Sequence, residues 1–213
     1  MKIGVLGTGD VGRTLATKLV ALGHDVMMGA RSADNEKARA FATATGGKTG
    51  SFADAAAFGE IVIHATRGNT AMDVLNGIGA EILAGKLLID VSNPLDFSQG
   101  FPPNLSISNT DSLAELIQRT FPDTHVVKTL NTVTASVMVD PARLPGKHVV
   151  FVSGNDIAAK GKTMDLLRSF GWQSIIDLGD ISTARGTEQM LPLWVRLYGA
   201  LGTGEFNFIL TRA

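Results

Sequence analysis

The hexapeptide GTGDVG, Gly7 to Gly12, follows the apolar run KIGVL and opens a helical pattern with Val11, Leu15, Leu19 and Leu22 on one face. A strand, a G-x-G-x-x-G turn and an amphipathic helix in that order constrain the chain more than any other feature. Gly7 permits the tight turn, Gly9 lets a pyrophosphate approach the main chain, and Gly12 lets the helix lie close on the strand. Backbone N–H groups near Thr8, Asp10 and Val11 then face an anion at the positive end of the helix dipole. Asp10 brings a carboxylate close to a diphosphate, so its side chain is expected to turn away and cap the helix.

The rest of the chain repeats the rhythm. Short runs DVMMG, EIVIHAT from Glu60, KLLIDVS from Lys86, HVVKTLN from His125 and HVVFVSG from His148 alternate with helical patterns. This predicts an α/β fold, a doubly wound parallel sheet with crossover helices. One helix is expected from Ala33 to Thr45, burying Ala38, Phe41 and Ala42, and Gly23 is expected to close the first helix as a left-handed cap. Met72, Leu75, Ile78 and Ile82 form another apolar stripe, and Ser112 with Glu115 has the spacing of a capping box. From Ile181 the pattern changes to helix, proline kink, helix and short tail. The expected organisation is therefore a nucleotide-binding domain over residues 1–180 and a small C-terminal helical extension, residues 181–213, shaping the substrate pocket and a dimer contact. Leu193, Trp194, Leu197, Tyr198 and Leu201 supply apolar surface that either a homodimer or the parent domain would cover.

Charge and cysteine content exclude several classes. Nineteen basic against 20 acidic residues leave a net charge of -1, so no global field recruits nucleic acid or an anionic membrane. The absence of cysteine excludes disulfides, thiolate catalysis and cysteine-bound metal, and fits a reducing compartment. The glycine-rich start leaves too short an apolar run for a signal peptide, and Pro192 and Arg196 interrupt the late apolar stretch, so a cytoplasmic protein without membrane or nucleic-acid partners is expected. There is no metal-ligand, HExxH, GxSxG or P-loop spacing.

The second strand selects the nucleotide. An Asp or Glu about 20 residues beyond the glycines suits the ribose of NAD, whereas Arg suits the 2′-phosphate of NADP. Here the window holds Gly29, Ala30, Arg31 and Ser32. Arg31 offers a planar cation and Ser32 a hydroxyl, which favours NADP. The competing reading makes Arg31 a solvated loop cation paired with Asp34 or Glu36.

Chemistry is expected at the carboxyl ends of the strands, in the segments ATRGNT from Ala65, VSNPL from Val91 and LNTV from Leu130. Ala65 and Thr66 are small enough for a cofactor to pass over. Asn93, held extended by Pro94, can face a nicotinamide, and Asn131 and Thr132 can bond a carboxamide or a substrate, all three as positioning groups. His64 reads as a buried, hydrogen-bonded core residue, and Lys128 is the runner-up proton donor. The lack of a strong acid–base constellation suits hydride transfer between two ring-shaped carriers. The alternatives are an imine or carbonyl reductase using Lys128, or a regulatory protein that binds NADP without turnover.

LGTGDVG, GARS, ATRG, DVSNPLDF, VKTLNTVTASVM and DISTARGTEQMLPLW together resemble the NADPH-dependent coenzyme F420 reductase family, in its bacterial branch, over essentially the whole chain. More distantly the chain resembles the cytosolic domain of six-transmembrane ferric reductases. The family resemblance implies a Rossmann domain, a small C-terminal portion that helps form a dimer, and hydride exchange between NADP(H) and a deazaflavin (F420-like) or flavin as second substrate. It places Thr8, Gly9, Asp10 and Val11 on the pyrophosphate and Arg31 and Ser32 on the 2′-phosphate. Ala65, Thr66 and Asn93 would line the cofactor path, with Asn131 and Thr132 near the reacting rings. Two positions depart from the archaeal members: Asp10 stands where they carry Asn, and Asn131 where they carry His.

Overall fold

A computed structural model describes residues 1–212. Strand β1 (Lys2–Leu6) buries every residue after Lys2, the burial expected of a strand covered on both faces. It leads through the glycine turn into α1 (Asp10–Ala21), whose Leu15, Ala16 and Leu19 face the core. Gly23, at φ 81°, reverses the chain into β2 (Asp25–Ala30) as expected of a left-handed cap. There follow α2 (Glu36–Thr45), β3 (Lys48–Ser51), α3 (Phe52–Phe58), β4 (Ile61–His64), α4 (Ala71–Ile78), α5 (Ala80–Leu83) and β5 (Leu87–Asp90). A short antiparallel pair, β6 (Leu95–Asp96) and β7 (Asn104–Leu105), precedes α6 (Leu113–Thr120) and β8 (His125–Thr129). The chain ends with α7 (Ala135–Val139), β9 (Val149–Gly154), α8 (Ile157–Phe170), β10 (Ser174–Gly179), α9 (Ala184–Gln189) and α10 (Leu191–Leu201).

Eight strands form one sheet in the order β10-β9-β8-β5-β4-β1-β2-β3. From β3 to β8 all pairs are parallel, in the doubly wound order that reverses between β1 and β4. Alternate residues serve opposite faces: Ile3, Val5, Ile63 and Ile89 join one core cluster, and Leu6, Val62 and Leu88 the other. With helices on both faces, the carboxyl edge beside β1 and β4 is the open side where a ligand can cross.

Several expectations need correction. The strand at HVVFVSG is not part of the parallel run: β9 pairs antiparallel with β8, and β10 pairs parallel with β9. Four strands carry no strand signal in the sequence: β3, β6 and β7 are too short, and SIIDLG of β10 lacks clear alternation. Helix α2 starts at Glu36 rather than Ala33, because the Asn35 carboxamide accepts the Ala38 N–H at 3.1 Å and sets the cap there. The stripe from Met72 to Ile82 is two helices, since Gly79 at φ 93° breaks it. Ser112 caps α6 as expected, accepting from the Glu115 N–H, but Glu115 takes the Ser112 hydroxyl instead of its backbone N–H, so the box is half formed. Pro192 lies in the first turn of α10, where its missing N–H costs no helical bond, so it starts that helix and does not kink one.

Beyond Gly179 the chain stays tied to the sheet. Ile181 and Ala184 belong to the second core cluster, and the Phe208 carbonyl accepts from the Val149 N–H at 3.0 Å. Leu193, Tyr198 and Leu201 of α10 remain exposed. Among the described residues no helix is long and apolar enough to cross a membrane.

Candidate functional site

The glycine turn is built as its spacing requires. Gly7 holds φ 123°, in the region only glycine adopts without strain, and a Cβ on Gly12 would lie 2.2 Å from the Gly7 carbonyl oxygen. A Cβ on Gly9 would meet nothing within 4 Å. The turn and the helix contact therefore need Gly7 and Gly12, while the space at Gly9 is open, which fits a ligand that takes it up. The first helical bond runs from Arg13 N to Gly9 O, so the N–H groups of Asp10, Val11 and Gly12 have no intrahelical acceptor and are available to an anion. Asp10 does not cap: the capping residue is Gly9, and the Asp10 carboxylate instead pairs with Arg13 one turn on at 2.7 Å, which neutralises it beside the anion site.

Gly9 and Gly12 thus separate two effects. Gly12→Ala is expected to lower stability by about 1–3 kcal/mol through overpacking, read as a fall in melting temperature. Gly9→Ala should melt like the parent but bind a dinucleotide at least about tenfold more weakly, a loss of roughly 1.4 kcal/mol.

Beside the turn, a cleft of about 810 Å³ opens over the ends of β4 and β5, lined by Val11, Ala65, Thr66, Asn93 and Phe97 among others. Phe97, 58% exposed, presents a free ring at its rim. A Cβ on Gly68 would lie 2.0 Å from the Asn93 carbonyl oxygen, so the two exit loops touch only because residue 68 is glycine. Asn93 is clasped by Asn131: each carboxamide nitrogen donates at 2.9 Å, Asn93 to the Asn131 carbonyl and Asn131 to the Asn93 side chain. Asn131 donates also to the Thr187 carbonyl at 3.1 Å. Leu130, at φ 60°, holds the strained left-handed conformation that turns β8 into this clasp. Asn131 and Thr132 are 5% and 2% exposed, and the cleft lining includes Asn93 but neither of them. The two bonds with Asn131 fix Asn93.

Arg31 is exposed at the end of β2 and, among the described residues, pairs with neither Asp34 nor Glu36. It borders a second hollow of about 410 Å³ with Ser51, Phe52, Thr70, Asp73 and Val74. Ser32 accepts from the Asp34 N–H at 3.3 Å, which leaves its own hydroxyl hydrogen free. Gly7, Gly9, Val11, Ala65, Thr66 and Asn93 converge at the centre of the carboxyl edge, with Arg31 and Ser32 at one end.

A buried ionic cluster lies under the cleft. Lys128 donates to Asp90 at 2.7 Å, to Glu188 at 2.8 Å and to the Ser92 carbonyl at 2.6 Å. Its three N–H bonds are thereby spent, and it is 1% exposed, so the expected proton donor for a substrate is a structural cation instead. Burial works to raise the Asp90 carboxyl, but the Lys128 ammonium and the His64 ring outweigh it and hold the group well below the usual carboxylate range. For Lys128, burial works downward and the carboxylates of Asp90 and Glu188 carry it above the ordinary lysine value. Glu188 also accepts the N–H groups of Leu113 and Ala114, joining α9 to the start of α6.

Comparison with known proteins settles the family. The pattern of the family described as NADP oxidoreductase, coenzyme F420-dependent, matches residues 2–94. The F420-dependent NADP reductase of Methanothermobacter marburgensis is 30% identical over 210 residues, 92% of each chain. This chain belongs to the F420-dependent NADP oxidoreductase family. A solved structure from Arthrobacter sp. FB24, carrying a provisional F420-dependent NADP-reductase assignment, is 54% identical over the whole of both chains, with a TM-score of 0.95. Metalloreductase STEAP3 of Rattus norvegicus is 30% identical over 197 residues, and the chain spans only 38% of that relative's length. The imine reductase of Streptomyces aurantiacus, at 21% identity and a TM-score of 0.70 over 95% of this chain and 64% of its own, shows the fold alone.

What sequence reasoning missed in this family member is long-range. Asp90 and Glu188 carry no local signal, because 98 residues separate them and only the fold brings both to Lys128. Phe97 and Arg13 carried no motif.

Proposed function

We propose that the protein is an NADPH-dependent oxidoreductase that exchanges a hydride between NADP(H) and a deazaflavin (F420-like) or flavin ring. The observation that carries the reading is one edge of the sheet bearing an anion-ready glycine turn, a guanidinium at Arg31 that makes no ion pair among the described residues, and a cleft of about 810 Å³ beside them. In this reading Thr8, Gly9, Asp10 and Val11 hold the pyrophosphate by backbone N–H groups, and Arg31 and Ser32 grip the 2′-phosphate. The bound nicotinamide supplies the hydride chemistry. Ala65 gives clearance, Asn93 orients the carboxamide from the clasp made by Asn131, which Thr132 follows in the chain, and Phe97 offers a ring face to a planar acceptor and excludes water from it.

The same reading divides the chain at residue 180, with 181–213 closing the pocket, and covers the exposed α10 residues Leu193, Tyr198 and Leu201 in a cytoplasmic homodimer. Stopped-flow oxidation of bound NADPH against a panel of acceptors tests it. Deazaflavin or flavin should oxidise the bound nucleotide. Oxidation by imines or carbonyls with the ring acceptors silent would overturn the reading, as would NADPH binding with no oxidation by any acceptor.

A further inference from the structure

A chain of hydrogen bonds runs from the cleft wall into the ionic cluster. Thr66 lines the cleft, and its Oγ1 lies 2.6 Å from His64 Nε2. His64 Nδ1 lies 2.9 Å from Asp90 Oδ1, and the other Asp90 oxygen accepts from Lys128. His64, Asp90 and Lys128 are all closed to solvent. Residues 64 and 66 project to the same side of their strand and its extension, which puts the ring against the hydroxyl.

Donor and acceptor roles follow from the partners. Asp90 Oδ1 also accepts the Ser92 N–H and hydroxyl, so it is an acceptor throughout and His64 Nδ1 carries a hydrogen. Only Nε2 can change state, and its partner is the Thr66 hydroxyl. With Nε2 bare, Thr66 donates to the ring and shows lone pairs to the cleft. With Nε2 protonated, Thr66 accepts from the ring and its O–H turns to the cleft.

The charge count favours a proton there. Asp90 and Glu188 contribute two negative charges and Lys128 one positive, so the cluster is one positive charge short of balance, and an imidazolium at His64 supplies it. Among the described residues Asp90 alone pairs ionically with the ring: β1 sets Leu6 opposite His64, and Glu115 of α6 is taken by Arg185 at 2.8 Å and by Ser112.

We propose that Thr66 delivers the proton that ring reduction requires, drawing it from His64, which the Asp90–Lys128–Glu188 cluster holds in place. This rests on the oxidoreductase reading, in which both electrons reach the acceptor ring with the hydride and one ring nitrogen must then gain a proton. As the Thr66 O–H bond breaks and the ring N–H bond forms, the Nε2–H of His64 passes to the Thr66 oxygen. Thr66 is left unchanged and His64 neutral, and water in the cleft restores the His64 proton through the same hydroxyl.

Two measurements decide it. In ¹⁵N-histidine NMR of the full chain without ligands at neutral pH, both ring nitrogens of His64 should carry a hydrogen, Nδ1 toward Asp90 and Nε2 toward Thr66. A bare Nε2, or an Nδ1 without hydrogen, overturns the proposal. In steady-state kinetics, Thr66→Val should cut kcat about 100-fold with a much smaller effect on NADPH affinity. Thr66→Ser should restore the rate. A wild-type kcat in Thr66→Val would overturn the proton path while leaving the oxidoreductase intact. If no ring acceptor oxidises NADPH bound to wild type, the oxidoreductase reading fails, and the NMR spectrum still decides the state of His64.

Discussion

Replacing Lys128 by methionine is expected to lower the melting temperature by roughly 6–20 °C at neutral pH, more than any other single substitution considered. Methionine nearly conserves volume, so packing changes little, but it leaves Asp90 and Glu188 buried as carboxylates with their shared cation gone. Breaking a buried pair in this way costs about 3–5 kcal/mol, and about 2–4 °C accompany each kcal/mol in a chain of this size. The sign with pH follows from the two shifts. Asp90 is depressed in the fold, so its contribution is present above its unfolded value, about pH 3.9, and is lost as pH falls through the lower folded value. Lys128 is raised, so its contribution is present below its unfolded value, about pH 10.4, and is lost as pH rises through the folded one. Wild type should therefore hold this stabilisation from about pH 4 to about pH 10. Thermal melts of the variant should show a flatter acid limb. An unchanged melting temperature would mean that the cluster is not ionised.

Arg31→Ala is expected to weaken NADPH binding by about 10–100-fold and to leave NADH binding nearly unchanged. The guanidinium is exposed and makes no ion pair among the described residues, so its loss costs the fold little. On a 2′-phosphate it would make charge-assisted hydrogen bonds that together stabilise the complex by about 1.5–3 kcal/mol. NADH has no 2′-phosphate to lose them. Fluorescence titrations of both nucleotides against both proteins measure the difference, and equal losses for the two would place Arg31 away from the phosphate.

The sequence was most informative where a function is carried by neighbours in the chain. The glycine turn, α1 and the Gly23 cap lie within 23 residues, and their spacing alone dictates the geometry observed. Arg31 sits one residue past the end of β2, so its place at the sheet edge also follows from local pattern. Asn131 illustrates the opposite case. Its segment was placed at a strand exit, but whether it touches a ligand depends on the φ of Leu130 and on the carbonyl of Thr187, contributed from 56 residues away. Lys128 follows the same rule: one basic residue near a strand exit resembles a proton donor until Asp90 and Glu188 arrive from β5 and α9 to bind it. The antiparallel β9 was illegible because strand direction is set by the path of the intervening chain, and HVVFVSG has the same burial either way.

In the proposed function the carboxyl edge of this sheet holds a dinucleotide by its glycine turn and recognises a 2′-phosphate by Arg31. Equilibrium titration of the unmodified protein with NADPH and with NADH, at one ionic strength and followed by nicotinamide fluorescence, tests this most directly. NADPH is expected to bind at least about tenfold more tightly, equivalent to about 1.4 kcal/mol. Equal affinity for the two nucleotides, or no binding of either, would contradict it.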